Sequence, residues 1–262
     1  MAAAFNIIPA RQEDVPLLAA ISAEAFESDS QTEMKSHGKV PFNMREHALR
    51  SLPKELQNPV IRIIKAVDDE SGAIMGYCTW GFRGIQPPAF PADKVTPPPD
   101  SADTADGPRG ARVNPPPAPL DAESDGVARL EKLTGDDLQN WMDLVMPSPK
   151  DDAGNSSSET KCMFVIGLSV SPAFQRRGVG AALLKWGTDL VDASDAFAWV
   201  HSSAGAWPAY ERAGFKTVRT LDVDLDEYAP VPAPADRFEG GKWGRYVFRY
   251  MIYGTPPEMA YL

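Results

Sequence analysis

Residues 169–187, SVSPAFQRRGVGAALLKWG, constrain the chain more than any other stretch. Pro172 has no N–H to give to a sheet ladder, so the apolar run KCMFVIGLSV reads as a strand that stops there. Gly178 and Gly180 let the backbone bend into a helix and come close to a ligand. Val179, Leu183, Trp186 and Leu190 then recur at helical spacing, giving that helix a buried stripe through about Ala193. Its first turn presents unpaired N–H groups and the positive end of a dipole. Arg176 and Arg177 add charge that reaches phosphate oxygens. Two readings follow: a solvated basic turn, or a cradle for a pyrophosphate.

The common nucleotide motifs do not account for this corner. A P-loop requires G-x-x-x-x-G-K-[ST], and the dinucleotide fingerprint requires a third glycine where GVGAAL has leucine. The formal net charge of -10 argues against a general nucleic-acid binder and favours cationic over anionic substrates. Cys78 and Cys162 sit in apolar, strand-like runs without a spacing motif, which suggests buried thiols in a reducing compartment rather than a disulfide framework. His37, His47 and His201 are scattered, so no metal site is expected. The N-terminal MAAAFNIIPARQEDV does not read as a signal peptide, and no apolar run approaches the roughly 20 residues that span a bilayer. The expectation is a soluble cytoplasmic or nuclear protein, monomer or homodimer, with no membrane partner.

Along the chain, FNIIPA reads as a strand and RQEDVPLLAAISAEAF as a helix, with Val15, Leu18, Ile21 and Ala25 on one side. SDSQTEMKSHGKVPF is loop-like and NMREHALRSL is a second helix. VIRIIKAVDDESGAIMGYCTWGF reads as a hairpin turning at Asp68–Gly72. Between Gly84 and Pro119 lie eleven of the 25 prolines with few large apolar residues, too little burial to offset the entropy of ordering. Two short helices, DGVARLEKLT and GDDLQNWMDLVMP, and the polar SPKDDAGNSSSET follow. Residues 84–160 are therefore taken as one insertion within a single domain spanning 1–262, a candidate lid. AFAWVHSS is a strand, and GAWPAYERAGF a short helix stopped at Gly214. KTVRTLDVDLDEY and KWGRYVFRYMIY are the last strands. The pattern predicts an α/β or α+β fold of three layers, with a mixed central sheet of six or seven strands flanked by helices.

The corner resembles the acetyl-CoA motif of the GNAT acetyltransferases, [QR]-x-x-G-x-[GA], as Gln175, Arg176, Arg177, Gly178, Val179 and Gly180 after the lead-in SVSPAF. VHSSAGAWPAYERAGFKTV is similar to the family's second signature, in which Tyr210 precedes the pair Gly214 and Phe215 by four residues. The element order β-α-α-β-β-β-α-β-α-β-β matches as well, the insertion at 84–160 aside. The resemblance implies an acetyl-CoA-dependent N-acetyltransferase whose primary-amine acceptor attacks the thioester directly, a small molecule more readily than a protein. A CoA-binding sensor or assembly module of the same fold stays open beside it.

The resemblance also implies roles. Leu168, Ser169 and Val170 would hydrogen-bond the pantetheine arm, with a backbone N–H near Leu168 as oxyanion donor. Residues 175–180 and Ala181 would hold the pyrophosphate, and Ser203, Trp207 and Tyr210 complete the coenzyme site. Tyr210 is the candidate general acid for the leaving thiolate. Several relatives place a glutamate base on the strand before the motif, where this chain has Phe164 or Val165. Glu27, Asp29 and His201 are alternatives for the acceptor side. Trp141, Trp207 and Trp243 are candidate walls or core residues, and Asp222, Asp224 and Asp226 read either as a solvated acidic edge or as a row that would attract a cationic acceptor.

Overall fold

Alternating β-branched and aromatic runs can bury one side each only by pairing, and seven of them do so in a single mixed sheet. The strands are β1 (Phe5–Pro9), β2 (Ile61–Asp68), β3 (Ile74–Arg83), β4 (Cys162–Val170), β5 (Phe197–Ser202), β6 (Lys216–Asp224) and β7 (Arg245–Tyr253). Their spatial order is β1-β2-β3-β4-β5-β7-β6. The structure is a computed structural model and describes residues 4–90, 125–147 and 160–256. Every neighbouring pair is antiparallel except β4 and β5. A parallel pair needs a crossover, which helix α5 (Val179–Ala193) supplies. Among the described residues the other α-helices are α1 (Val15–Ala25), α2 (Ser30–Ser36), α3 (Met44–Gln57), α4 (Gly126–Val145) and α6 (Trp207–Arg212).

Strand alternation sorts the helices into two outer layers. Ile64, Cys78, Trp80, Met163, Val165, Ala198 and Val200 face α5 and α6, burying Leu183, Leu184, Val191 and Tyr210. Ile61, Ile63 and Tyr77 face the other way onto α1 and α3. Trp199, Tyr250 and Ile252 meet Trp141 and Val145 of α4, and Met34 of α2 packs with Leu130, Tyr246 and Phe248. The three-layer expectation and the seven strands hold. Both cysteines are buried and neither forms a disulfide.

Three local expectations are corrected. The stretch read as a loop after α1 contains α2, started by Asp29, whose carboxylate accepts the Thr32 N–H at 2.9 Å, and pinned by the fully buried Met34. Two turns of helix are too short to show a 3.6-residue period. The two short helices of the insertion are one 20-residue helix, α4, running through Gly135. A glycine inside a helix costs about 1 kcal/mol, and burying Val127, Leu130, Trp141 and Val145 at about 1.5–3 kcal/mol each outweighs it. The acidic row does not share one strand face. β6 ends at Asp224, which caps the following 3-10 turn by accepting the Asp226 N–H, and Asp226 accepts from the Trp243 and Gly244 N–H groups.

The residues that follow β3 are packed, with Arg62 Nε donating to the Pro88 carbonyl at 3.0 Å and Phe90 against Trp186. The prolines from Pro91 to Pro119 and the polar run 148–159 lie outside the described residues.

Helix α5 lies flat on the sheet because position 187 has no side chain. A Cβ there would fall 2.2 Å from ring atoms of Trp80, whose indole N–H points at the Leu183 carbonyl. Gly187→Val is expected to lower stability by about 3 kcal/mol or more through overpacking, read as a reduced urea midpoint at unchanged slope.

Candidate active site

One extra residue in β4 shapes the site. Thr79 of β3 pairs with Gly167 and Trp80 with Val165, so Ile166 is a bulge that bends the strand. Pairing of β4 with β5 ends at Val165 and Val200, although β4 runs on to Val170 and β5 continues to Ser202 alongside β7. Past that point the two strands part. The stretch Ile166–Val170 has no β5 partner in register, which leaves main-chain donors and acceptors for something else to satisfy. Ser22 of α1 anchors the bent strand, its hydroxyl 2.5 Å from Tyr77 and 3.3 Å from Ser169.

The basic corner closes one end of this opening. The Ser171 N–H donates to the Met75 carbonyl, Pro172–Phe174 form a 3-10 turn, and the Gln175 amide returns to the Val170 carbonyl at 3.1 Å. Arg176 and Gly178 both adopt left-handed φ, 60° and 85°, a conformation that costs a side-chain-bearing residue. Gly178 is the N-cap of α5 and no side chain caps that end, so the first-turn N–H groups of Val179, Gly180 and Ala181 face outward uncapped. A Cβ on Gly180 would meet only Val170, at 3.7 Å. Arg176 and Arg177 are exposed, and the Arg177 guanidinium lies 5.4 Å from the Phe174 ring centroid. These are the properties of an anion cradle.

At the other end, the parted strands form a cavity of about 310 Å³ that reaches through the sheet. Gly167, Leu168, His201 and Ser203 line its middle. Tyr210 enters from the α6 layer, and Lys35 and His47 from the α2 and α3 layer. Tyr210 is 4% exposed and edge-on to Phe215, and burial pushes its phenol above the ordinary range, so it keeps its proton at neutral pH. His201 stacks on Tyr250 and Phe248 at 4.6 and 5.0 Å, and burial holds it down to about 4. Burial is also the main reason His47 falls below its usual value, helped by the positive charges of Lys35 and Arg50. A second cavity of about 280 Å³ adjoins across Phe26, Thr32, Phe42 and Met44, and is lined by Glu27, Glu33 and Arg237.

The structure thus gathers Leu168, His201, Ser203 and Tyr210 around one cavity, with Ser169, Val170 and residues 175–181 leading from it to the corner. Glu27 faces the second cavity only. Asp29 caps α2 and accepts the Tyr246 hydroxyl at 2.7 Å. Trp207 opens α6 beneath the Arg249 guanidinium. Trp141 is core, its ring tilted against Tyr250 at 4.9 Å, and Trp243 packs on Phe238 while donating to the Val231 carbonyl. Asp222 is paired with Arg245 at 2.9 Å and lies outside both cavities. Lys35 and Phe42 lie in the stretch that reads as loop, whereas His47 lies in the helix read from NMREHALRSL and is weighed only as a metal ligand. Asp29 ahead of an acidic first turn was the available signal.

Comparison with known proteins agrees with this geometry. Residues 138–215, which run from α4 through β4, the corner, α5 and β5 to α6, match the Acetyltransferase (GNAT) family model. No curated protein sequence matches the chain significantly. Similar solved structures include a Corynebacterium glutamicum protein described as histone acetyltransferase HPA2 and related acetyltransferase, at 16% identity and TM-score 0.50 over 97% of each chain. A mosquito arylalkylamine N-acetyltransferase-like protein superposes at 15% identity and TM-score 0.52, covering 95% of this chain and 99% of its own. An agmatine N-acetyltransferase variant does so at 11% identity and TM-score 0.52, covering 96% and 99%. At these identities the likeness is one of fold. Among the described residues, no helix is long and apolar enough to cross a membrane.

The buried His201 makes stability depend on pH. Between its ordinary 6.5 and about 4, the unfolded chain binds a proton that the folded protein excludes, so stability falls as pH is lowered through that window. This histidine alone is expected to account for about 3 kcal/mol of the loss by pH 4. Urea unfolding at pH 7 and pH 5 checks it: His201→Phe is expected to shrink the difference between the two midpoints.

Proposed function

We propose that this chain, whose residues 138–215 are a GNAT acetyltransferase segment and whose sheet is the GNAT fold, transfers the acetyl group of acetyl-CoA to a primary amine. The observation that carries the reading is the parting of β4 from β5 beyond Val165 and Val200, flanked by an uncapped helix start on one side and Tyr210 on the other. The residues suit the coenzyme. The open edge Leu168–Val170 offers main-chain hydrogen bonds to an amide-rich arm, and the first turn of α5 with Arg176 and Arg177 suits its diphosphate. The empty space at Gly180 gives the phosphates room to approach the backbone. Acetyl-CoA supplies an acyl group already activated as a thioester.

The chain's own contribution is positioning and proton management. An N–H of the bent strand near Leu168 steadies negative charge on the carbonyl oxygen, a contribution of about 3 kcal/mol for one well-placed donor. Tyr210 donates its phenolic proton to the departing sulfur. Its raised pKa makes it a weak acid, so the gain comes from proximity and from keeping the proton on the phenol until it is needed. Phe26, Phe42 and Phe248 give the acceptor an apolar wall.

Two variants test the reading. Gly180→Trp keeps ordinary helical geometry but fills the cradle, and is expected to abolish the calorimetric heat of CoA binding. Tyr210→Phe is expected to lower kcat about 100-fold, as loss of a general acid does, with acetyl-CoA affinity nearly unchanged. Thiol release against an amine panel separates the enzyme from a CoA-binding module, which would give heat and no free thiol.

A further inference from the structure

An amine that attacks a thioester must first lose a proton, and the strand position where a glutamate base was sought carries Phe164 and Val165, the first stacked on Trp199. Two side chains lining the central cavity among the described residues can accept a proton at neutral pH, His47 and His201. They are not equivalent. His201 is a wall residue, flat against Tyr250 and Phe248 with Nε2 buried and unpartnered among the described residues, and at about 4 it is a poor base. His47 stands in the first turn of α3, on the face of the cavity opposite Tyr210, with its ring against Phe42 at 5.6 Å.

We propose that His47 takes the proton from the acceptor amine, an inference that rests on the acetyl-transfer reading above. The groups facing it come from three helices. Lys35 of α2 and Arg50 of α3 favour the neutral ring, as does the positive end of α3, and Glu131 of α4 opposes them. Glu131 also holds Lys35 at 2.7 Å, while the Lys35 ammonium lies 4.3 Å from the Phe42 ring centroid. The imidazole is thus uncharged at pH 7 and ready to accept. His47 removes one proton from the ammonium of the acceptor and passes it to water. The freed nitrogen pair forms the C–N bond as the C–S bond breaks, the sulfur takes the Tyr210 proton, and the tyrosinate recovers one from the nitrogen. Helix α4, from the insertion, tunes this acceptor side through Glu131.

The test is thiol release by the full chain from about pH 5 to pH 9, with acetyl-CoA binding heats measured alongside. The wild type is expected to show kcat/KM rising through a limb centred below 6.5, apart from the acceptor's own ionisation at higher pH. His47→Gln is expected to lose that limb and about 100-fold in kcat at pH 7, with coenzyme heat and amine KM little changed. Glu131→Gln is expected to move the limb to lower pH, because it removes the one carboxylate that raises the ring's basicity. An unmoved limb in Glu131→Gln, or full kcat in a folded His47→Gln, overturns the assignment while acetyl transfer stands. Absence of thiol release from the wild type with every amine overturns both.

Discussion

The loss of ladder contact between β4 and β5 after Val165 and Val200 is the constraint on which the rest of the site depends. A sheet normally leaves no unpaired main chain in its middle, because buried peptide groups without partners are costly. Here the Ile166 bulge turns the strand aside, and the hydrogen-bonding edge of Ile166–Val170 is left without a β5 partner. The crossover helix that parallel strands require begins beside that edge, which places its positive end at the mouth of the gap. Strand edge and helix start are two consequences of one break in pairing.

A gap in the central layer connects the two outer ones. Tyr210 reaches it from the α6 side and Lys35, Phe42 and His47 from the α2 and α3 side, so in the proposed reaction an acid and a base would face the thioester from opposite layers. The strands that part must still be held firmly. Ser22 and Tyr77 fasten Ser169, the Trp80 ring fills the space left by Gly187, and α4 covers the β5 and β7 surface with Trp141 and Val145. Helix α4 starts beneath Tyr228, where a Cβ on Gly126 would lie 2.2 Å from the Tyr228 carbonyl oxygen. Helix α4 is therefore tied to the core at both of its ends.

Burial sets the protonation states. Taking Tyr210 and His201 out of water disfavours their charged forms, so the phenol holds its proton and the imidazole stays neutral. His47 is neutral partly for another reason, the cations beside it, and Glu131 offsets them. The same chemistry at the surface would leave histidines half charged near neutrality.

The succession of strands and helices and the glycine-loosened corner before α5 were legible in the chain because local rules dictate them. Pro172 must end a strand, Gly178 tolerates a left-handed turn, and Gly214 does the same after α6. Two features misled that reading: α2, too short for its period to show, and Gly135, which looked like a break until burial of the α4 stripe outweighed it. The acidic row failed for a different reason, since Asp224 and Asp226 serve backbone N–H groups that only the β7 approach brings near. What no local rule contains is the register of β3 against β4. That register makes Ile166 a bulge, opens the gap and brings His47, more than a hundred residues away in the chain, to the same cavity as Leu168 and Tyr210. Side-chain identity and spacing decide which elements form, whereas the pairing of distant strands decides where an edge is left unpaired and which side chains meet there.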